Sequence, residues 1–240
     1  MLEGKSPFVF LPSAAKTPLS LVTFARNLDP TRGFYSCEYR GMDGTEDLDA
    51  SLEETAAGFV EQITAMRAQT SICLGGQCFG GTVAFEMAKQ LNDRGFTIDK
   101  LILLDTLPPL LASNIESTID TADEQNIWQL TQQAIATVCD QSRAQFAHFP
   151  DEIRQPFERI LTRQLDFGNS YRSTPVDTDI YLLITQQYDE AIFKNWQSLA
   201  RNKLEQIRLP VDRSSVLDSN QVSTVANVVS KILEIDTKAP

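Results

Sequence analysis

Residues 7–106 alternate between two rhythms of apolar positions. "PFVFLPS", "SICLGG" and "KLILLDT" are short, almost continuously apolar runs, and they predict buried strands, the first ended by Pro12. "GFYSCEY" is rich in β-formers and predicts a further strand, and "RGMDGTEDLDA" after it is turn-rich. Helical spacing fills the gaps. "LSLVTFARNLDP" predicts a helix stopped at Pro30, because the residue before a proline disfavours helical backbone. Ser51 opens a second helix with Glu54 three residues on as a capping box. Leu52, Phe59, Ile63 and Met66 keep one face of it apolar through about residue 67. "FGGTVAFEMAKQLNDRG" predicts a third helix closed by Gly95. Strands alternating with helices imply an α/β chain with a mostly parallel sheet and helices on both faces.

The rhythm changes after Leu107, and no strand-like run follows until Thr174. "DEQNIWQLTQQAIATVCDQSRAQF" and "DEIRQPFERILTRQLDFG" both predict helices, so a helical lid is expected as an insertion over about 108–174. The sheet pattern resumes with "TDIYLLIT", a helix near "DEAIFKNWQSLA" and a strand at "LEQIRLP". A last helix carries Val222, Val225, Val229, Ile232 and Leu233 on one face. The 240 residues suit one large α/β domain or two small ones, and the continuous strand–helix pattern is read as a single domain over 1–240. Ligands of parallel sheets bind beyond the C-terminal ends of the strands, the edge that a late insertion covers.

The chemistry concentrates at Gly76-Gln77-Cys78-Phe79-Gly80, at a strand-to-helix junction. Glycines two residues either side of a central nucleophile leave room for a sharp turn that lifts it to the sheet edge. The positive helix end there favours an anionic nucleophile, and the Phe79 N–H points to where an oxyanion would form. The competing reading is a buried cysteine in a glycine-rich packing turn. Asp105 ends the apolar run "LILLD" and falls on the same sheet edge as Cys78, as a site carboxylate or as a turn aspartate.

Composition narrows the classes. Apolar residues make up 42% and charged residues 22%, as in soluble globular chains. A net charge of −11 argues against nucleic acid and anionic membrane as partners. No apolar run is long enough to span a membrane, and the opening residues lack a signal-peptide core. The four cysteines form no CxxC pair, so neither a zinc site nor a disulfide framework is expected, and free thiols suit a cytoplasmic location. Cys37 and Cys73 fall in strand-like runs and Cys139 in the lid, where packing roles are expected. Trp128, Phe146, Phe149 and Phe157 are aromatic positions of the lid, as its own core or as the lining of an acyl tunnel.

The stretches "FARNLDPTRGFYSCEYRGMDGTE", "SLEETAAGFVEQI", "LGGQCFGGTVAFEMAKQLNDRG", "KLILLDTLPP" and, less closely, "LEQIRLPVDRSSVLD" resemble the chain-releasing thioesterase domains of nonribosomal peptide and polyketide synthases. They cover most of the chain except the lid. The resemblance implies an α/β-hydrolase fold. It implies that an acyl or peptidyl chain arrives as a thioester on the phosphopantetheine arm of a carrier protein, with no other cofactor bound. The elbow residue takes the chain, and water or a group within the chain releases it as an acid or a ring. By this resemblance Cys78 is the nucleophile in place of the usual serine, Asp105 is the acid, and Ser13 or Ala14 joins Phe79 in the oxyanion hole. A thioester acyl-enzyme retains more activation than an oxoester and suits closure of a strained ring. Gln77 and Arg213 are candidate substrate contacts.

The base is the departure. The histidine of the resembled family maps to Arg213, or to Asp212, and neither serves as a neutral-pH base. The single histidine, His148, lies in the lid. Three readings follow: His148 pairs with Cys78 from the lid, His148 is an ordinary helix-end residue, or the domain binds without catalysis as a carrier-docking domain. Arg213 would ion-pair with Asp105, steady a thiolate, bind an acidic substrate group, or lie solvated in its loop. An editing thioesterase that clears stalled chains would share this sequence pattern.

Overall fold

Successive side chains of a strand face opposite ways, and here that alternation sorts the core into two layers. The computed structural model describes residues 5–65, 71–111, 129, 133, 136, 140, 143–144, 146–185, 195–213 and 216–235. Its main sheet contains β1 (Phe8–Leu11), β2 (Phe34–Tyr35), β3 (Ser71–Gln77), β4 (Thr97–Leu104), β7 (Ile180–Ile184) and β8 (Leu204–Arg208). The order is β2-β1-β3-β4-β7-β8, and every neighbouring pair is parallel. Val9, Leu11, Leu74, Leu101, Leu103, Leu182 and Ile184 enter one core layer. Phe8, Phe10, Cys73, Ile102, Leu104, Tyr181 and Leu183 enter the other. Both faces are therefore covered, which explains strands that are apolar without alternation.

Helices α2 (Leu52–Ala65) and α3 (Phe79–Asp93) cover the first face, and their buried residues include Phe59, Ile63, Val83 and Phe85. The second face is covered by α1 (Val22–Arg26), which contributes Phe24, and by α6 (Val222–Glu234), which contributes Val222, Val225, Val229 and Ile232. The predicted helix start at Ser51 and helix end at Gly95 hold in detail, whereas the helix expected to run to Pro30 is the short α1, which ends at Arg26. Ser51 Oγ accepts from the Glu54 N–H at 3.1 Å, and the Glu54 carboxylate returns to the Ala50 N–H at 2.6 Å. Gly95 sits at φ 83° just past α3 and its N–H donates to Asn92, as a helix-closing glycine does. Met66 lies outside the described residues.

Between β4 and β7 lies the insertion. Its described part includes α4 (Asp151–Ser170) and two short strands, β5 (Leu110–Leu111) and β6 (Arg172–Ser173), paired in parallel. These strands depart from the strand-free reading of 107–174; two residues are too few to show a period. Most of the first predicted lid helix, with Trp128 and Cys139, lies outside the described residues. The strand expected over "GFYSCEY" shrinks to Phe34–Tyr35, and Cys37 is buried beyond its end. Of the helix expected near "DEAIFKNWQSLA", the described part is α5 (Trp196–Leu199). No described helix is long and apolar enough to cross a membrane.

A buried polar knot ties the insertion to α3. The Tyr171 hydroxyl, just past α4, donates to the Glu86 carboxylate at 2.5 Å and lies 3.0 Å from Ser173 Oγ. Lys89 and Gln90 donate to the same carboxylate at 2.7 and 3.0 Å. Glu86 and Tyr171 are both buried, so each bond lost leaves an acceptor short of partners in a place water does not reach. Tyr171→Phe should cost about 1–3 kcal/mol, read as a lower denaturation midpoint with unchanged denaturant slope. An unchanged midpoint would show that the knot adds nothing to the fold.

Candidate active site

Three described non-glycine residues adopt the left-handed backbone region, Ala15 (φ 51°), Cys78 (φ 53°) and Asp105 (φ 47°). Each follows the C-terminal end of a parallel strand, so the disfavoured geometry gathers on the edge where such sheets bind ligands. Cys78 follows the last residue of β3 and caps α3 with ψ −120°. The glycines around it are required by contact. A Cβ on Gly76 would collide with the Gly80 backbone, and one on Gly80 with the carbonyls of Leu11 and Pro12. The elbow therefore turns tightly, and the chain following β1 lies against the first turn of α3. Cys78 is partly exposed, whereas Cys37 and Cys73 are buried and their thiols are pushed up to about 11 by burial.

The Cys78 N–H donates to the Leu104 carbonyl at 2.8 Å, which places Cys78 beside the residue preceding Asp105. Asp105 is 1% exposed. Its own N–H donates to Leu183, and its Oδ1 accepts from the Thr185 N–H at 2.8 Å. Oδ2 is buried without a hydrogen-bond partner among the described residues. Burial raises the carboxyl from its ordinary 3.8 to about 6, and the Thr185 N–H and the Arg213 guanidinium act against that rise. Arg213 therefore lies within electrostatic reach of Asp105, in the loop between β8 and α6. That is the place where a base would be expected. Asp212 is exposed, and its N–H donates to Gln221 Oε1 at 2.7 Å.

The loop after β1 forms the other wall. Lys16 N–H donates to Ser13 at 3.1 Å, the Tyr39 hydroxyl donates to Pro12 at 2.8 Å, and the Ala15 N–H donates to Gln164 Oε1 at 2.7 Å. Tyr39 also packs its ring on Phe79 at 5.8 Å. Ser13 and Ala14, the expected oxyanion residues, sit on this loop directly after Pro12, whose carbonyl abuts Gly80 of the elbow. Gln77 is the last residue of β3 and pairs with Leu104. His148 lies elsewhere: it is exposed, in the turn closed by the Phe149 N–H on Phe146, ahead of α4. Phe146 stacks on Phe157 at 3.7 Å, and the Lys16 ammonium lies 5.6 Å from its ring, so this turn borders the loop after β1.

The structure thus brings Cys78, Asp105 and Arg213 to one edge, with Phe79 following Cys78 and the Ser13–Ala14 loop reaching the elbow through Pro12, and leaves His148 at the surface. Gln164, Tyr39, Lys16 and Thr185 were not among the sequence candidates. Gln164 carried a signal: it is the polar member of the buried stripe Phe157, Ile160, Leu161, Gln164, Phe167.

The model of the thioesterase domain family matches residues 7–235. The chain belongs to the thioesterase domain family. Malpibaldin synthetase of Mortierella alpina is 34% identical over 85 residues, 35% of this chain and 2% of that relative, so this domain spans a small share of that curated protein. Among solved structures, the Vlm2 thioesterase domain bound with a dodecadepsipeptide superposes with a TM-score of 0.70 at 23% identity, over 97% of this chain and 95% of that one. Holo-AB3403, a four-domain nonribosomal peptide synthetase, superposes with a TM-score of 0.70 at 22% identity, over 97% of this chain and 20% of that one. The sheet and its flanking helices are those of an α/β-hydrolase thioesterase domain.

A buried carboxyl raised to about 6 binds a proton in the folded domain that it has lost in the unfolded chain between pH 3.8 and 6. Its ionisation therefore weakens the fold as pH rises through that window. Asp105→Asn keeps an acceptor for Thr185 and tolerates the left-handed backbone. It should stabilise the domain at pH 7 by about 1–3 kcal/mol, with the gain shrinking toward pH 4. Denaturant midpoints at the two pH values check this. A variant weaker at pH 7 would mean that the ionised carboxylate supports the fold through Arg213.

Proposed function

We propose that this thioesterase-family domain releases an acyl or peptidyl chain from the phosphopantetheine thioester of a carrier protein domain. The observation that carries the reading is Cys78 itself, a partly exposed thiol held left-handed at the N-terminus of α3, on the same edge as buried Asp105. The Cys78 sulfur attacks the thioester carbonyl, and the bond to the pantetheine sulfur breaks. Pantetheine leaves as a thiol after taking a proton, and the chain remains as a Cys78 thioester. The negative charge developing on the carbonyl oxygen meets the Phe79 N–H and a donor from Ser13 or Ala14. Water, or a hydroxyl or amine within the chain, then resolves the thioester by hydrolysis or cyclisation. A thioester suits even a strained ring, because it is more activated than an ester.

Asp105 orients the site and Arg213 faces it with positive charge. His148 is the chain's one imidazole, carried on the turn bordering the Lys16 loop. Its action as base needs that turn to fold toward Cys78. Gln77 and Arg213 are the proposed substrate contacts. The carrier, its arm as the only cofactor chemistry, and a cytoplasmic setting belong to this reading. Arg213 beside Asp105, where a base would stand, favours a second reading: a carrier-docking domain without turnover.

Intact-mass measurement after mixing with an acyl-pantetheine thioester separates these. The parent protein should gain one acyl group, and Cys78→Ala should gain none. His148→Ala should acylate at least about tenfold more slowly if the imidazole is the base. Equal rates would remove His148 from the mechanism. No adduct from several different acyl thioesters would overturn release chemistry in favour of docking.

A further inference from the structure

The loop after β1 is held from two directions. The body of the domain grips its near end: Tyr39 donates to the Pro12 carbonyl at 2.8 Å, and Gly80 abuts Pro12 so closely that no side chain fits between them. The insertion grips its far end. Gln164, on α4, accepts from the Ala15 N–H at 2.7 Å, and Phe146 covers the Lys16 ammonium at 5.6 Å. Two consecutive loop residues are thus bound by the insertion, 149 residues away in sequence for the hydrogen-bonded pair. Ala15 is the loop residue at φ 51°, a region that a residue with a Cβ enters only when its surroundings impose it. Gln164 is 5% exposed, and Ile160, Leu161 and Phe167 on the same helix face are buried around it. Its amide is therefore fixed by packing and turned at one backbone N–H.

We infer that Gln164 is a positioning residue for the oxyanion hole: from the insertion it fixes the Ala14–Ala15 peptide beside the elbow, so the seating of the insertion sets the rate of acyl transfer to Cys78. The inference rests on Cys78 being the acyl acceptor. An oxyanion donor acts only within about 2.7–3.1 Å of the developing charge, and loss of one lowers a rate by about 10²–10³. A loop freed at Ala15 would keep its Pro12 end, so binding of the acyl chain would persist while the donor swings out of reach. Insertion and chemistry are then coupled without the insertion touching the reacting atoms.

The test compares Gln164→Leu, which fills the space without an acceptor, with Gln164→Glu, which restores one. Acylation of Cys78 by an acyl-pantetheine thioester is followed by intact mass across probe concentrations, below the melting temperature of every variant. Amide exchange of the peptide containing Ala15 is followed in parallel. Gln164→Leu should lower the limiting acylation rate at least about tenfold, leave the half-saturating probe concentration within about twofold, and speed exchange at Ala15. Gln164→Glu should recover most of both losses. A limiting rate in Gln164→Leu equal to the parent's would overturn the inference while leaving the Cys78 reading intact. Equal slowing in Leu and Glu variants would also overturn it, because a merely structural loss is not rescued by an acceptor. An unacylated parent overturns the Cys78 reading and removes the role of Gln164 with it.

Discussion

The left-handed turn at Cys78 is the constraint on which the rest of the site depends. It exists because β3 ends in the sheet and α3 begins at once, with no loop to spread the change of direction. Glycine at 76 and 80 is the consequence, since a side chain at either would meet backbone. The same closeness draws the chain after β1 against α3 and hydrogen-bonds Cys78 to Leu104. One turn therefore sets Cys78, the loop after β1 and the start of the Asp105 segment in mutual register. Stability is given up for this arrangement at three positions, Ala15, Cys78 and Asp105, whose backbones are all left-handed. Such strain persists only where the surroundings over-determine it. Here those surroundings are a sheet buried on both faces.

The electrostatics follow from the same burial. Asp105 lies at the end of a strand inside an apolar core and has one strong donor, the Thr185 N–H. Desolvation dominates, and the Arg213 guanidinium answers it only in part. In a hydrolytic site with an imidazole at that position, such a carboxylate orients a base. Here it lies within electrostatic reach of a guanidinium instead. On the proposed function, this gives a cysteine at the elbow a physical rationale. A thiol is a better nucleophile than a hydroxyl when the base is distant or absent.

Much of this was legible in the sequence, because it is written in local patterns. Short apolar runs gave strands buried on both faces, the Ser51–Glu54 pair marked a helix start, and glycine spacing around Cys78 located the elbow. Asp105 was reachable by asking which acid ends a strand on the same edge. What stayed hidden is long-range. The hold of Gln164 on Ala15 joins residues 149 apart, and only the polar residue in an apolar stripe hints at it. The pairing of β5 with β6 is two residues long and has no period to read. The surface position of His148 depends on how the insertion sits, which no spacing rule encodes.

The proposed covalent intermediate on Cys78 is open to single-turnover kinetics. Enzyme in excess over an acyl-loaded carrier is mixed, and the free pantetheine thiol and the released chain are timed separately. A burst of thiol should precede release of the chain, with the missing chain recovered on the protein, and Cys78→Ala should show no burst. Thiol and released chain appearing together, at the same rate in parent and Cys78→Ala proteins, would contradict it.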